Sequence, residues 1–96
     1  MSPINKKKLY LLRSKLDKLD NKLLKLIKKR SFLVNEVLKV KIYKNEIIDH
    51  KRIRFILKKI RNKSIQSNID PKITNRIWKN MIWSFIDYEK RNFRKK

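Results

Sequence analysis

Two charged side chains stand where an apolar stripe should continue. Arg30 interrupts the series Leu9, Leu12, Leu16, Leu19, Leu23, Leu26, Leu33, Val37, Val40, and Glu89 ends the series Trp78, Ile82, Phe85. A charge on a buried stripe is costly unless it is paired. Arg30 therefore reads in one of three ways: a polar residue that sets the register of a coiled coil, half of an intersubunit ion pair, or an anion ligand. Glu89 reads as a helix end reaching solvent or as an acid set into a site. Lys41 lies 11 positions after Arg30. At 100° per residue that is about 20° from the same helix face and about 16.5 Å along the axis. Two long cationic side chains leaning together across that gap could flank a small anion. Arg13 is about 25 Å before Arg30 and about 100° round the helix, so it joins such a site more easily from the partner of an antiparallel dimer. A pocket of Arg30, Lys41 and a partner's Arg13 suits a compact dicarboxylate, because a guanidinium grips a carboxylate with two parallel donors. Arginine is scarce in this chain, 8 against 21 lysines, so each arginine is the more informative cation.

These side chains need a long, straight carrier. The steps between seam positions alternate three and four, the spacing of a coiled-coil seam. Ser2-Pro3 supplies an N-cap followed by proline at the first helical position. The spacing predicts one helix from about residue 4 to about 41, roughly 57 Å long. A compact globule of 96 residues has a radius of gyration of only about 12–13 Å. Its own chain cannot cover such a helix, which should be shared between two subunits. Residues 42–48 read as a connection. Asp49 is a plausible N-cap for a second helix with Ile53, Ile56, Leu57 and Ile60 inward. Residues 62–68 read as a polar loop. Asp70-Pro71 is the clearest helix start, opening a third helix with Ile73, Ile77, Trp78, Met81, Ile82, Phe85 and Ile86. The basic tail, about 90–96, is expected to fray. The fold class is all-α: a single domain over 1–96 with three helices per subunit, one very long, in an intertwined homodimer.

Composition narrows the chemistry. The chain has 96 residues, 29 basic and 8 acidic, for a net charge of +21. Lysine, isoleucine and asparagine make up 44 of them, while Gly, Cys and Ala are absent. Lysine, isoleucine and asparagine have A/T-rich codons, so an A/T-rich genome explains much of the charge as solvated background. Without Cys there is no disulfide, thiolate metal site or Cys nucleophile. Without Gly there is no Walker or dinucleotide loop, and tight hairpins are disfavoured. One histidine, His50, makes no zinc site and reads as a surface residue at a helix start. No apolar run approaches the 18 residues of a membrane span, and no signal peptide is visible, so the expected location is the cytoplasm.

The whole pattern resembles the all-helical chorismate mutases, the AroQ class. The residues that carry it are Leu12-Arg13, Leu16-Asp17, Leu19-Asp20, Leu23-Leu24, Leu26-Ile27, Arg30, Leu33, Val37 and Lys41 in the first helix. Asp49 and Arg52 at the second helix follow, then Asp70-Pro71, Ile77-Trp78, Met81-Ile82 and Glu89 in the third. The resemblance implies an intertwined homodimer with two active sites that convert chorismate to prephenate, on the route to Phe and Tyr. It implies no cofactor, no metal and no nucleophile. Arg13 of the partner subunit and Arg30 would hold the two substrate carboxylates. Lys41 would bond the ether oxygen and one carboxylate, Asp49 and Arg52 would bind the hydroxyl, and Glu89 would meet the ether oxygen from the opposite side. A carboxylate cannot donate, so Glu89 serves there only when protonated.

The chain departs from the common pattern in three places. Ile53 follows the second-helix arginine where the family often has Glu. Phe85 stands one turn before Glu89 where a small polar residue is common, with Ser84 beside it on a neighbouring face. The connection from Lys41 to Arg52 is a residue shorter. Ile53 and Phe85 also resemble the isochorismate-pyruvate lyases, which share the fold and a similar cationic pocket. Two further readings stand apart from either enzyme. A basic helical protein would bind nucleic acid through phosphate with steep salt dependence, but the basic residues follow no single stripe and no recognition motif is visible. A plain coiled-coil scaffold would tolerate loss of Arg30 or Lys41.

Overall fold

The computed structural model describes residues 2–94. It contains three α-helices, α1 (Pro3–Val40), α2 (His50–Gln66) and α3 (Pro71–Asn92), with a one-turn 3₁₀ helix at Lys44–Glu46. Among the described residues there is no strand, and no helix is long and apolar enough to cross a membrane.

The local chemistry of each helix end explains these boundaries. Ser2 Oγ accepts from the Asn5 N–H at 3.1 Å, and Pro3 follows as the first helical residue, where its missing N–H is no loss. Val40 ends α1, and the Lys41 N–H still reaches the Leu38 carbonyl at 3.2 Å. Asp49 caps α2 by accepting from the Arg52 N–H at 2.9 Å. Asp70 caps α3 through the Lys72 N–H at 2.9 Å, with Pro71 behind it. Each such cap is worth about 1 kcal/mol.

The turn between α2 and α3 is shorter than the polar composition of 62–68 suggests. Helix α2 continues through Gln66. Ser64 is the reason: it is buried, its hydroxyl lies 2.6 Å from the Ile60 carbonyl, and it shares a 2.7 Å hydrogen bond with Thr74 of α3. Its polarity is satisfied inside the packing, so nothing stops the helix there. The stop comes at Asn68, with φ 58°. The Asn68 N–H reaches the Ile65 carbonyl and the Ile69 N–H the Ser64 carbonyl, the paired bonds of a Schellman ending. In a chain without glycine, asparagine is the side chain that best tolerates this left-handed position.

Helix α3 also runs further than expected. Lys90, Arg91 and Asn92 are helical, held in part by Arg91 to Asp87 at 2.9 Å and Asn92 to the Tyr88 carbonyl at 2.8 Å. Phe93 beyond them packs on the core. The expected fray of 90–96 is therefore wrong for 90–92, while Lys95 and Lys96 lie outside the described residues.

The chain divides into two compact units, Met1–Leu33 and Val34–Lys96. The second holds the core: Leu38, Ile47, Ile82 and Ile86, with Ile48, Ile53, Ile56, Leu57 and Phe93 packed against them. In the first, the seam is open to solvent. Leu12, Leu16, Leu19, Leu23 and Leu26 are each between 54 and 59 % exposed.

Candidate active site

Lys41 is the first residue past α1, and Glu89 lies three residues from the end of α3. The fold brings them together. Lys41 Nζ stands 3.0 Å from Glu89 Oε1, with side chains 18 % and 8 % exposed. Ile86 and Ile82, one and two turns before Glu89, are core residues, so α3 turns its apolar face and its acid the same way. This excludes the reading of Glu89 as a frayed end reaching solvent. Lys39–Glu36 and Arg91–Asp87 are, by contrast, exposed ion pairs within single helices and contribute little.

The pair has definite chemical capacity. An ammonium carries three donors, and Glu89 takes one, which leaves two for a ligand. The Glu89 carboxylate accepts when ionised and donates one hydrogen bond when protonated. The two groups together can grip an oxygen atom from two sides. Each group is desolvated, so its hydrogen bonds are stronger than in water.

The other candidate residues are placed as follows. Phe85 is half-buried, one turn before Glu89. Ser84 is exposed, and its hydroxyl bonds back to the Asn80 carbonyl at 2.7 Å. Asp49 and Arg52 meet through the α2 cap, and the Arg52 guanidinium lies over the exposed Phe55 ring at 5.3 Å. Among the described residues, no hydrogen bond or ion pair joins Asp49 or Arg52 to Lys41 or Glu89. Ile53 packs on the core, so the position after Arg52 presents no polar group. In the N-terminal unit, Arg13 is exposed and Arg30 half-buried, with Arg30 Nη1 out of contact with solvent. The one charged position of the seam is thus less exposed than the leucines around it. Among the described residues, no group of three His, Asp or Glu side chains could hold a metal ion.

Glu46 was not legible as a site residue. Its carboxylate accepts from the Ile42 N–H at 2.9 Å and the Tyr43 N–H at 3.4 Å, the two residues that follow Lys41. Its place three residues after Tyr43, the spacing at which an acid reaches back to a cap amide, is the only signal the sequence offers.

The family model for chorismate mutase type II matches residues 12–90. No curated protein and no solved structure matches the chain significantly. The matched span covers most of the chain and includes Arg13, Arg30, Lys41, Asp49, Arg52, Phe85 and Glu89. The all-helical fold agrees with it, and the chain belongs to the chorismate mutase type II family, a family of intramolecular isomerases.

Proposed function

We propose that this protein rearranges chorismate to prephenate on the route to Phe and Tyr, as a homodimer in which each site is completed by the partner. The observation that carries this reading is the desolvated Lys41–Glu89 pair at 3.0 Å. The reaction needs no nucleophile. The C–O bond of the enolpyruvyl ether breaks ahead of C–C bond formation, and negative charge grows on the ether oxygen. A donor fixed beside that oxygen stabilises the transition state more than the ground state. Lys41 supplies such a donor. In its protonated form Glu89 supplies a second from the other side.

Arg30 and the partner's Arg13 hold the two carboxylates in this reading, and Asp49 and Arg52 bind the hydroxyl. Holding the enolpyruvyl arm over the ring removes an entropic part of the barrier. The exposed leucine seam supports the dimer. Covering half of each of Leu12, Leu16, Leu19, Leu23, Leu26 and Leu33 contributes about 1 kcal/mol per side chain, or about 6 kcal/mol per chain.

A second reading, isochorismate-pyruvate lyase, is favoured by two positions. Ile53 packs on the core and Phe85 is half-buried, so neither brings a polar group to the substrate. One experiment tests both readings. The purified protein is incubated with chorismate and, separately, with isochorismate. Prephenate supports the first reading; salicylate with pyruvate supports the second; neither product at millimolar substrate overturns both.

A further inference from the structure

We propose that Glu46 is a positioning residue for Lys41, acting through the backbone on its C-terminal side; this rests on the chorismate mutase reading given above. Lys41 sits where the regular hydrogen bonding of α1 ends. On its N-terminal side its own N–H is tied to the Leu38 carbonyl at 3.2 Å. On its other side, the Ile42 and Tyr43 amides fall beyond the helix and have no ladder to join. Glu46 Oε2 takes both, at 2.9 and 3.4 Å.

Glu46 is itself fixed. Its N–H donates to the Tyr43 carbonyl at 3.0 Å, and the next N–H, of Ile47, donates to the Lys44 carbonyl at 3.2 Å. Ile47 is 3 % exposed, the most deeply buried apolar residue described. The segment 42–47 is therefore a closed loop: the core holds Ile47, and the Glu46 side chain reaches back to the residues that leave Lys41. Lys41 is bracketed by fixed backbone on both sides. That matters because its side chain has four rotatable carbons. A donor on such a stem meets a reacting oxygen reliably only if its base is rigid, and displacements of 1 Å can cost about 100-fold in rate.

A carboxylate oxygen does this work by accepting, and an amide oxygen accepts in the same place. Glu46→Ala is expected to lower kcat for chorismate about tenfold, with KM changed less than about threefold; Glu46→Gln restores kcat to within about threefold of wild type. If Glu46 acts through Lys41, Glu46→Ala in a Lys41→Ala background changes the residual kcat less than about twofold, since effects that share one group do not add. A tenfold loss in both backgrounds, no loss in either, or a Gln variant as poor as Ala overturns the proposal.

Amide hydrogen exchange at Ile42 gives a readout independent of catalysis. It should quicken at least tenfold in Glu46→Ala and stay slow in Glu46→Gln, and unchanged exchange in Glu46→Ala overturns the proposal. If wild type leaves chorismate untouched, the enzymatic reading fails and the exchange result still decides whether Glu46 holds the Lys41 backbone.

Discussion

Replacing Lys41 by methionine separates what the Lys41–Glu89 pair does for the fold from what it does for the reaction. Methionine keeps most of the length of the stem and loses the ammonium. Glu89 then stays 8 % exposed with no cation at 3.0 Å. Removing one partner of a fully buried pair costs about 3–5 kcal/mol. Lys41 is 18 % exposed, so some water reaches the site, and about 2–3 kcal/mol is the appropriate range. For a domain of this size, 1 kcal/mol corresponds to about 4–8 °C, so Lys41→Met should lower Tm by about 10–20 °C. Adding Glu89→Leu removes the stranded carboxylate and fills its place with apolar volume. Replacing a whole buried pair in this way is commonly neutral or stabilising. The double variant should therefore return to within about 1 kcal/mol of wild type.

Activity should not return with stability. Loss of a donor at the developing charge costs about 100- to 1000-fold in kcat, and the double variant lacks both donors. The assay is urea unfolding followed by circular dichroism at one fixed protein concentration, beside prephenate formation for the same preparations. The fixed concentration matters because assembly contributes to apparent stability. A double variant as unstable as Lys41→Met would refute the account of the pair as a desolvated ion pair. A Lys41→Met enzyme within tenfold of wild type would refute its place in the reaction.

Three further outcomes follow from the same geometry. Glu89→Gln puts an amide donor in the same place with no proton to gain, so with chorismate it should keep kcat/KM within about tenfold of wild type, whereas Glu89→Leu should lose about 100-fold; equal losses in the two variants contradict the role. Thr74→Val removes the 2.7 Å partner of Ser64 but leaves Ser64 bonded to the Ile60 carbonyl at 2.6 Å, so urea unfolding should show a loss of only about 1 kcal/mol. Leu23→Lys puts a charge into the open seam; if the proposed dimer forms through that seam, sedimentation equilibrium should find wild type dimeric and the variant monomeric at the same concentration, and equal masses for the two contradict a seam interface.

Helix positions were legible because their signals are local. Seam spacing, Ser2-Pro3, Asp49 and Asp70-Pro71 each act within one turn, and each stands where the spacing put it. The end of α2 was not legible, because it depends on contact between helices. Ser64 looks like a loop residue in sequence and becomes a core residue only when Thr74 of α3 completes its hydrogen bonding. Among the candidate site residues, Lys41 and Glu89 lie 48 positions apart, and each is marked in the sequence by its own signal, seam geometry for one and a broken stripe for the other. Their pairing is tertiary information. Glu46 carries no such signal for a related reason: an exposed acid in a short loop has no periodicity to violate, and its importance lies in which two amides it accepts from.

The net charge of +21 and the single desolvated pair act on different scales. Exposed lysines are screened over about 8 Å at physiological salt. They can raise the encounter rate of a dianion, and salt should weaken that effect. They offer no fixed donor and no discrimination between one anion and another. Lys41 has hydrogen-bonded backbone on both sides, and its ammonium is largely out of water and paired with the Glu89 carboxylate. If bulk charge governed function, raising ionic strength would reduce kcat and kcat/KM together. If the fixed pair governs it, salt should reduce kcat/KM through encounter and leave kcat nearly unchanged, because the bound substrate no longer depends on the screened field. Measuring both constants across a salt series decides whether the bulk of the 29 basic residues or the fixed pair governs the chemistry.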